Sequence, residues 1–188
     1  MDAFSYLSVL LSIIIGLAIT QILQGYRGLL LSRSRVTLYG PTLILSGLML
    51  AFATQSWWAS FGLADRQGWN FGDFAMVLLQ TIILYMMAAV VLPDTPPGEP
   101  IDLRAHYYRE RVPYFSLSLA MLVVSVGKEW ILDGRLPHPA NLAFHGIFAV
   151  ASLVGLLVGR PRVHLLLVPT TALVAAVYIA LLFSRLAP

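Results

Sequence analysis

The chain has 188 residues, of which 59% are hydrophobic and only 11% are charged, and its mean hydropathy is +0.81. Soluble domains carry about 25% charged residues, so this composition excludes an ordinary water-soluble domain. The lack of cysteine excludes disulfides and thiol chemistry, and the net charge of +3 comes from basic residues scattered beside apolar runs, which is typical of membrane flanks and predicts no nucleic-acid partner.

The chain begins with a long apolar segment that lacks the basic start and the cleavage pattern of a secretory signal, so we interpret it as a retained first span. A helical span needs about 20 apolar residues. The sequence therefore predicts one all-α transmembrane domain over residues 1–188, a bundle of six helices. The predicted spans cover residues 4–31, 38–63, 71–92, 113–132, 139–158 and 163–183.

The long connection at residues 93–112 opens with a proline-rich stretch, after which Asp102 is placed to cap a helix. We expect a short interfacial amphipathic helix here, lying on the lipid headgroups before the fourth span. An ordinary solvated loop is the alternative. The apolar face of this helix would consist of Ile101, Ala105, Tyr108 and Val112. The arginines expected to contact anionic lipid headgroups are Arg104, Arg109 and Arg111.

The basic residues also predict an orientation, because loops on the cytoplasmic side are enriched in Lys and Arg. Eight of the twelve basic residues flank the first, third and fifth connections. We expect these connections in the cytoplasm of a bacterial inner membrane, with both termini on the periplasmic side. The remaining four, which would then lie outward, are Arg66, Lys128, Arg135 and Arg185.

Helices in lipid associate through small and polar side chains, and the first span carries such residues at every fourth position. This stripe predicts the face that packs into the bundle. It consists of Ser8, Ser12, Gly16, Thr20 and Gln24.

Polar residues within the other spans gather at one depth, in the outer half of the predicted bundle. An ionisable residue inside a membrane is costly unless it is paired, and it marks a candidate functional site. We expect Glu129 to face His145 in an outward-opening polar cavity, with Glu129 as charge or proton carrier, His145 as its modulator and the glutamines as neutral hydrogen-bonding partners. The candidate ligand- or ion-binding residues are Gln55, Trp58, Gln80, Lys128, Glu129, Asn141 and His145. The alternative places Lys128 and Glu129 at the outer headgroups, where Lys128 reaches water.

Motifs for known chemistry are missing from the sequence: it has no phosphate-binding loop, no Gly-x-Ser-x-Gly elbow and no His-Glu-x-x-His. Of the four histidines, only His138 and His145 lie at similar predicted depths, which disfavours a bis-histidine haem. We predict no catalytic residue, metal or cofactor, and the sequence leans against an enzyme.

Several segments resemble a family of small bacterial six-helix inner-membrane proteins with no assigned function. The residues that carry the resemblance are Phe4-Ser5-Tyr6-Leu7-Ser8, Thr20-Gln21-Ile22-Leu23-Gln24-Gly25, Trp57-Trp58, Leu92-Pro93-Asp94 and Asp102-Leu103-Arg104-Ala105-His106-Tyr107-Tyr108. The resemblance covers roughly the first two thirds of the chain. It implies a bacterial inner-membrane protein and provides no site residue.

Three functions remain open from the sequence. The first is a small channel, transporter or ligand-binding membrane protein built around the polar cavity. The second is an accessory or assembly subunit of a larger membrane complex, in which the polar stripes contact other subunits. The third is a membrane enzyme that acts on lipid. A stable homo-oligomer would favour the first function, and co-purifying foreign chains would favour the second.

Overall fold

A computed structural model of the chain describes residues 3–182. One α-helix occupies each of the six predicted spans. The helices are α1 Ala3–Leu31, α2 Gly40–Ser60, α3 Phe71–Val91, α4 Leu103–Asp133, α5 Pro139–Leu157 and α6 Pro161–Leu182. Phe183, the predicted end of the last span, and Arg185 lie outside the described residues. Two short strands, β1 Val36–Thr37 and β2 Ile101–Asp102, pair in parallel and tie the first connection to the third.

Five of the six helices are long and apolar enough to cross a membrane. The exception is α2, which is long enough but carries Gln55, Ser56 and Ser60 in its second half. The described part of the chain is thus all-α and compatible with a multi-pass membrane protein. Apolar side chains also cover the outer surface of the bundle, including Leu17, Val123 and Leu166, and a water-soluble monomer rarely exposes so much apolar surface.

The helices form a closed ring in the order α1, α3, α4, α5, α6, α2, because each packs against the next and α2 packs against both α1 and α6.

The carboxyl-terminal parts of α1 and α3 lie side by side: a Cβ on Gly25 would lie 2.7 Å from Leu92 Cδ1. The bundle therefore has two distinct ends. We call one the tryptophan end, which carries Trp57, Trp58, Trp69 and Trp130, and the other the arginine end, which carries Arg33, Arg35, Arg104, Arg109, Arg111 and Arg160.

The prediction of a separate interfacial helix before the fourth span is wrong, since the segment is the first third of a continuous 31-residue helix, α4, which runs through Pro113. Asp102 caps that helix as predicted, accepting hydrogen bonds from the backbone N–H groups of Arg104 and Ala105. Burial keeps the segment in line with the rest of α4, because Leu103, His106 and Tyr107 are packed inside the bundle. Pro113 removes one backbone hydrogen bond, and its ring crowds the carbonyl group of Arg109 one turn earlier, but α4 continues through it.

The predicted packing stripe of the first span is also wrong. In α1 the buried face consists of Leu7, Leu11, Ile15, Ala18 and Ile22, whereas Ser12, Thr20 and Gln24 are exposed. Ser12 accepts a hydrogen bond from Trp57 of α2, but the hydroxyl groups of Ser8 and Thr20 find acceptors on their own helix. Ser8 donates to its own backbone at Ser5 O, and Thr20 donates to Gly16 O across 2.7 Å. The long apolar side chains therefore fill the interior.

Candidate functional site

A cavity of about 300 Å³ lies inside the ring, in the half of the bundle nearer the tryptophan end. All six helices line it, with Ile15 from α1, Gln55 from α2, Gln80 from α3, Glu129 from α4, His145 from α5 and Tyr178 from α6. Small-molecule sites enclose roughly 300–1,000 Å³, so the cavity is large enough for a small ligand. At about 30 Å³ per water molecule, it has the volume of roughly ten waters.

One wall of the cavity holds a carboxylate in a fixed position. The Asn141 side-chain amide donates to Glu129 Oε1 across 3.1 Å, and Asn141 Oδ1 accepts a hydrogen bond from the Tyr178 hydroxyl across 3.2 Å. Asn141 lies in the first turn of α5, so it joins the end of α4 to the end of α6. The amide anchors Glu129 through one oxygen, and the second oxygen accepts no hydrogen bond from any residue between 3 and 182.

His145 lies on the same wall with both ring nitrogens engaged. Its Nδ1 is 2.9 Å from the Asn141 carbonyl oxygen, and its Nε2 is 3.1 Å from Ser125 Oγ. A backbone carbonyl only accepts, so Nδ1 carries a proton and donates to Asn141 O, while Nε2 and the Ser125 hydroxyl form the second hydrogen bond. It links α4 to α5 one helical turn deeper than Glu129, because Ser125 precedes Glu129 by four residues.

The expected direct pairing of Glu129 with His145 is wrong. Both side chains line the cavity, but Asn141 joins them, through its side chain to Glu129 and through its backbone carbonyl to His145. The physical reason is local. Asn141 and His145 are separated by one turn of α5, so His145 Nδ1 bonds the backbone carbonyl of Asn141 on its own helix. The side-chain amide of Asn141 occupies the hydrogen-bonding position beside the Glu129 carboxylate.

The opposite side of the cavity carries polar groups without partners. Gln55, Gln80 and Lys128 all line the cavity, and none of the three side chains makes a hydrogen bond or ion pair within the portion of the chain that the structure describes. Polar groups inside a protein are normally hydrogen-bonded, because leaving one unpaired costs about 1–3 kcal/mol. These three side chains are therefore available to water or to a ligand.

The deeper part of the cavity is apolar. Its lining includes Met49, Phe52, Leu84, Met87 and Phe148. The Phe148 ring packs edge-to-face on Phe52 and on Tyr178, at centroid distances of 6.2 and 5.6 Å. The cavity is thus polar and charged toward the tryptophan end and apolar toward the middle of the bundle.

The structure brings together five of the seven residues singled out from the sequence: Gln55, Gln80, Lys128, Glu129 and His145 line one cavity. Asn141 lies behind this lining and holds Glu129. Trp58 is 38% exposed and does not line the cavity. The prediction does not include Thr81, which also lines the cavity. Depth and polarity, the signals that single out the other members, apply to Thr81 as well.

A charged cluster near the tryptophan end was missed altogether. Arg66 donates to Asp73 Oδ2 and to Asp133 Oδ1, each across 3.2 Å, and its guanidinium lies 5.6 Å from the Trp69 ring. Asp73 is almost fully buried. The cluster joins the start of α3 to the end of α4 and follows Leu63, the last cavity-lining residue of the α2–α3 connection. It thus fastens one edge of the cavity.

The arginine end has a broader pocket of about 580 Å³ between residues 92–102 and the start of α4. Several of its charged groups are engaged, since Asp102 caps α4, and Arg109 pairs with Glu110 and contacts His106 Nδ1. Asp94 and Glu99 also line this pocket. Arg111 is used internally as well, donating to the carbonyls of Gly155 and Leu156 at the end of α5. Arg104 and Arg109 are the exposed members of the set expected at lipid headgroups, and that contact stays a prediction.

Residues 3–182 contain no group of three or more His, Asp or Glu side chains placed to hold a metal ion. The candidate site is therefore defined by the cavity, its one carboxylate, its one ammonium group and its unpaired amides. Comparison of the chain with protein-family models, with curated proteins and with solved structures gave no match.

Proposed function

We propose that this protein is a six-span membrane protein that takes up a small polar solute in the cavity at its tryptophan end, as a channel, transporter or ligand-binding protein. The observation that carries the proposal is a set of polar side chains, Gln55, Gln80 and Lys128, which make no hydrogen bond or ion pair within residues 3–182 and line the cavity together with Glu129. In a membrane interior such groups are unfavourable unless water or a solute satisfies them.

The same cavity explains why α2 is less apolar than the other helices. Its polar residues Gln55 and Ser56 line the cavity rather than the outer surface, so they need not enter lipid. On this basis we assign α2 as the sixth crossing. We propose that the arginine end faces the cytoplasm and the cavity faces the periplasm of a bacterial inner membrane, because cytoplasmic loops are enriched in Lys and Arg.

Cysteine labelling tests the proposal cleanly, because the chain has no cysteine of its own. Gln80 lines the cavity and Leu79, its neighbour on α3, is exposed on the outer surface. We expect a membrane-impermeant, positively charged methanethiosulfonate to modify Gln80→Cys in intact membranes from the periplasmic side, while Leu79→Cys reacts at least tenfold more slowly. Comparable rates at the two positions, or no reaction at position 80 from either side, would contradict a solvent-connected cavity.

A second candidate function, an accessory subunit of a larger membrane complex, is favoured by one observation. Thr20 and Gln24 of the α1 stripe are exposed, and Gly16 has no neighbouring atom within 4 Å of where a Cβ would lie. Small residues allow close approach of another transmembrane helix. Native mass spectrometry in mild detergent discriminates: foreign chains that leave on Gly16→Leu substitution support a subunit role, whereas a lone chain or homo-oligomer supports the first function.

A further inference from the structure

Two opposite charges line the cavity without forming an ion pair. Lys128 and Glu129 both line it, yet no ion pair within 4.0 Å joins them in the described range 3–182. Neighbouring positions on a helix point about 100° apart, so the ammonium and the carboxylate approach the cavity from different directions. A ligand that carries both charges can therefore contact each group from within the cavity.

The charge balance of the cavity selects the kind of ligand. An anion would pair with Lys128 but would be repelled by Glu129, and a cation would pair with Glu129 but would be repelled by Lys128. In a low-dielectric interior such repulsion is costly. A zwitterion satisfies both groups at once and leaves the cavity electrically neutral.

We propose that the ligand is an apolar α-amino acid in its zwitterionic form, with its carboxylate on Lys128 and its ammonium group on Glu129. This inference rests on the proposed function, and it names the substrate class of the same cavity. Gln55 and Gln80 supply neutral amides that can donate to the carboxylate or accept from the ammonium group.

The apolar floor accounts for the ligand's side chain. Met49 and Met87 lie below the charged residues, with Phe52 and Phe148 beside them. Methionine side chains are flexible and adapt to differently shaped apolar groups. The floor therefore accepts side chains such as those of leucine, methionine or phenylalanine, and it disfavours charged side chains, which would be buried there without a partner.

The test is isothermal titration calorimetry on the purified full-length protein in lipid nanodiscs. The probes are L-leucine, L-methionine and L-phenylalanine, together with two analogues of leucine that keep the side chain but lose one charge: 4-methylpentanoate, which lacks the ammonium group, and isoamylamine, which lacks the carboxylate. We expect at least one of the three amino acids to bind, and leucine, if it is that ligand, to bind at least tenfold more tightly than either analogue.

Two substitutions assign the charges. Glu129→Gln keeps an oxygen that accepts from Asn141 while removing the charge, and Lys128→Met keeps the length of the side chain. Each is expected to weaken amino-acid binding at least tenfold. Glu129→Gln should not weaken binding of 4-methylpentanoate, and Lys128→Met should not weaken binding of isoamylamine. Leu79→Ala, at an exposed position of α3 that does not line the cavity, should retain amino-acid binding and serves as the folded control.

Two results overturn the assignment: single-charge analogues that bind as tightly as the amino acid, or a lack of binding by all three amino acids. Neither result bears on the proposed function, which is decided separately by labelling of Gln80→Cys. A cavity that is labelled but binds only an analogue would still be a solute site of different specificity. A cavity that is not labelled would remove both proposals.

Discussion

Asn141 donates its side-chain amide to the Glu129 carboxylate across 3.1 Å and so fixes the charged wall of the cavity. Replacing Asn141 with leucine, which is similar in volume, should leave Glu129 without this donor and the Tyr178 hydroxyl without this acceptor. Hydrogen bonds to charged groups contribute roughly 1.5–3 kcal/mol in water-soluble proteins and less between membrane helices. We expect unfolding in mixed micelles to become easier by about 1–2 kcal/mol. Asn141→Asp, which removes the amide donor and adds a second acidic group beside Glu129, should destabilise at least as much at neutral pH. An unchanged stability in both variants would show that the bond contributes nothing.

Gly155 allows α5 to pack directly on Phe115 of α4. A Cβ at position 155 would lie 2.5 Å from two atoms of the Phe115 ring, so Gly155→Ala forces the helices apart. Overpacking of this kind costs typically about 1–3 kcal/mol. Gly146 lies on the same helix with nothing within 4 Å of a built Cβ, and Gly146→Ala should be neutral or stabilising by up to about 1 kcal/mol.

The double variant Gly155→Ala/Phe115→Leu provides the check on that explanation. If the clash with the ring is the cause, thermal unfolding of the double variant should show a smaller loss than the sum of the two single changes. Strict additivity would point to a different cause.

Arg66 forms ion pairs with two carboxylates, Asp73 and Asp133. Losing the pair with Asp73 should lower the stability of the protein more than losing the pair with Asp133. Asp73 is 2% exposed, so Arg66→Met leaves a nearly buried carboxylate without its ion-pair partner. Losing one partner of a buried pair costs about 3–5 kcal/mol. Because Arg66 is partly exposed, we expect a smaller loss of stability, about 1–3 kcal/mol. The side chain of Asp133 is 57% exposed, and Asp133→Asn should cost no more than about 1 kcal/mol. Chemical unfolding of both variants measures the difference, and an equal loss would contradict the burial argument.

Tyr107 and His164 form a hydrogen bond of 2.7 Å at the arginine end. His164 is fully buried, and its Nε2 is 2.5 Å from the Val158 carbonyl oxygen, so its Nδ1 is the acceptor for the Tyr107 hydroxyl. Tyr107→Phe should leave that buried nitrogen unpaired and lower stability by about 1–3 kcal/mol. Tyr6→Phe, at an exposed tyrosine of α1, is the matched control and should have no effect on the melting temperature.

The positions of the helices could be predicted from the sequence because continuous apolar runs of about 20 residues have few alternatives. The faces of those helices could not. In α1 the hydroxyl groups of Ser8 and Thr20 donate to backbone carbonyls of the same helix. A polar stripe at helical spacing therefore does not identify the buried side of the helix. Similarly, Pro113 suggested a helix boundary, whereas tertiary burial of Leu103, His106 and Tyr107 keeps α4 continuous.

For the candidate site, the sequence is enough to predict which residues lie at the same depth in the bundle, but not which side chains contact each other. Six alternating helices bring Gln55, Gln80, Lys128, Glu129 and His145 to the same half of the bundle, and sequence position is enough to establish that. Which groups pair depends on side-chain directions within one turn. Tertiary packing puts Asn141 between Glu129 and His145. It also pairs Arg66, which lies in a loop, with Asp73 of α3 and Asp133 of α4. No local sequence pattern indicates either arrangement.

The ring closes between α2 and α6, the second helix and the last. During synthesis, one side of the cavity stays open until the final helix joins the bundle. A chain that stops before residue 161 would lack Tyr178 and the packing of α6 on α2 and α5. Its cavity lining, including Glu129 and Lys128, would then be open on that side.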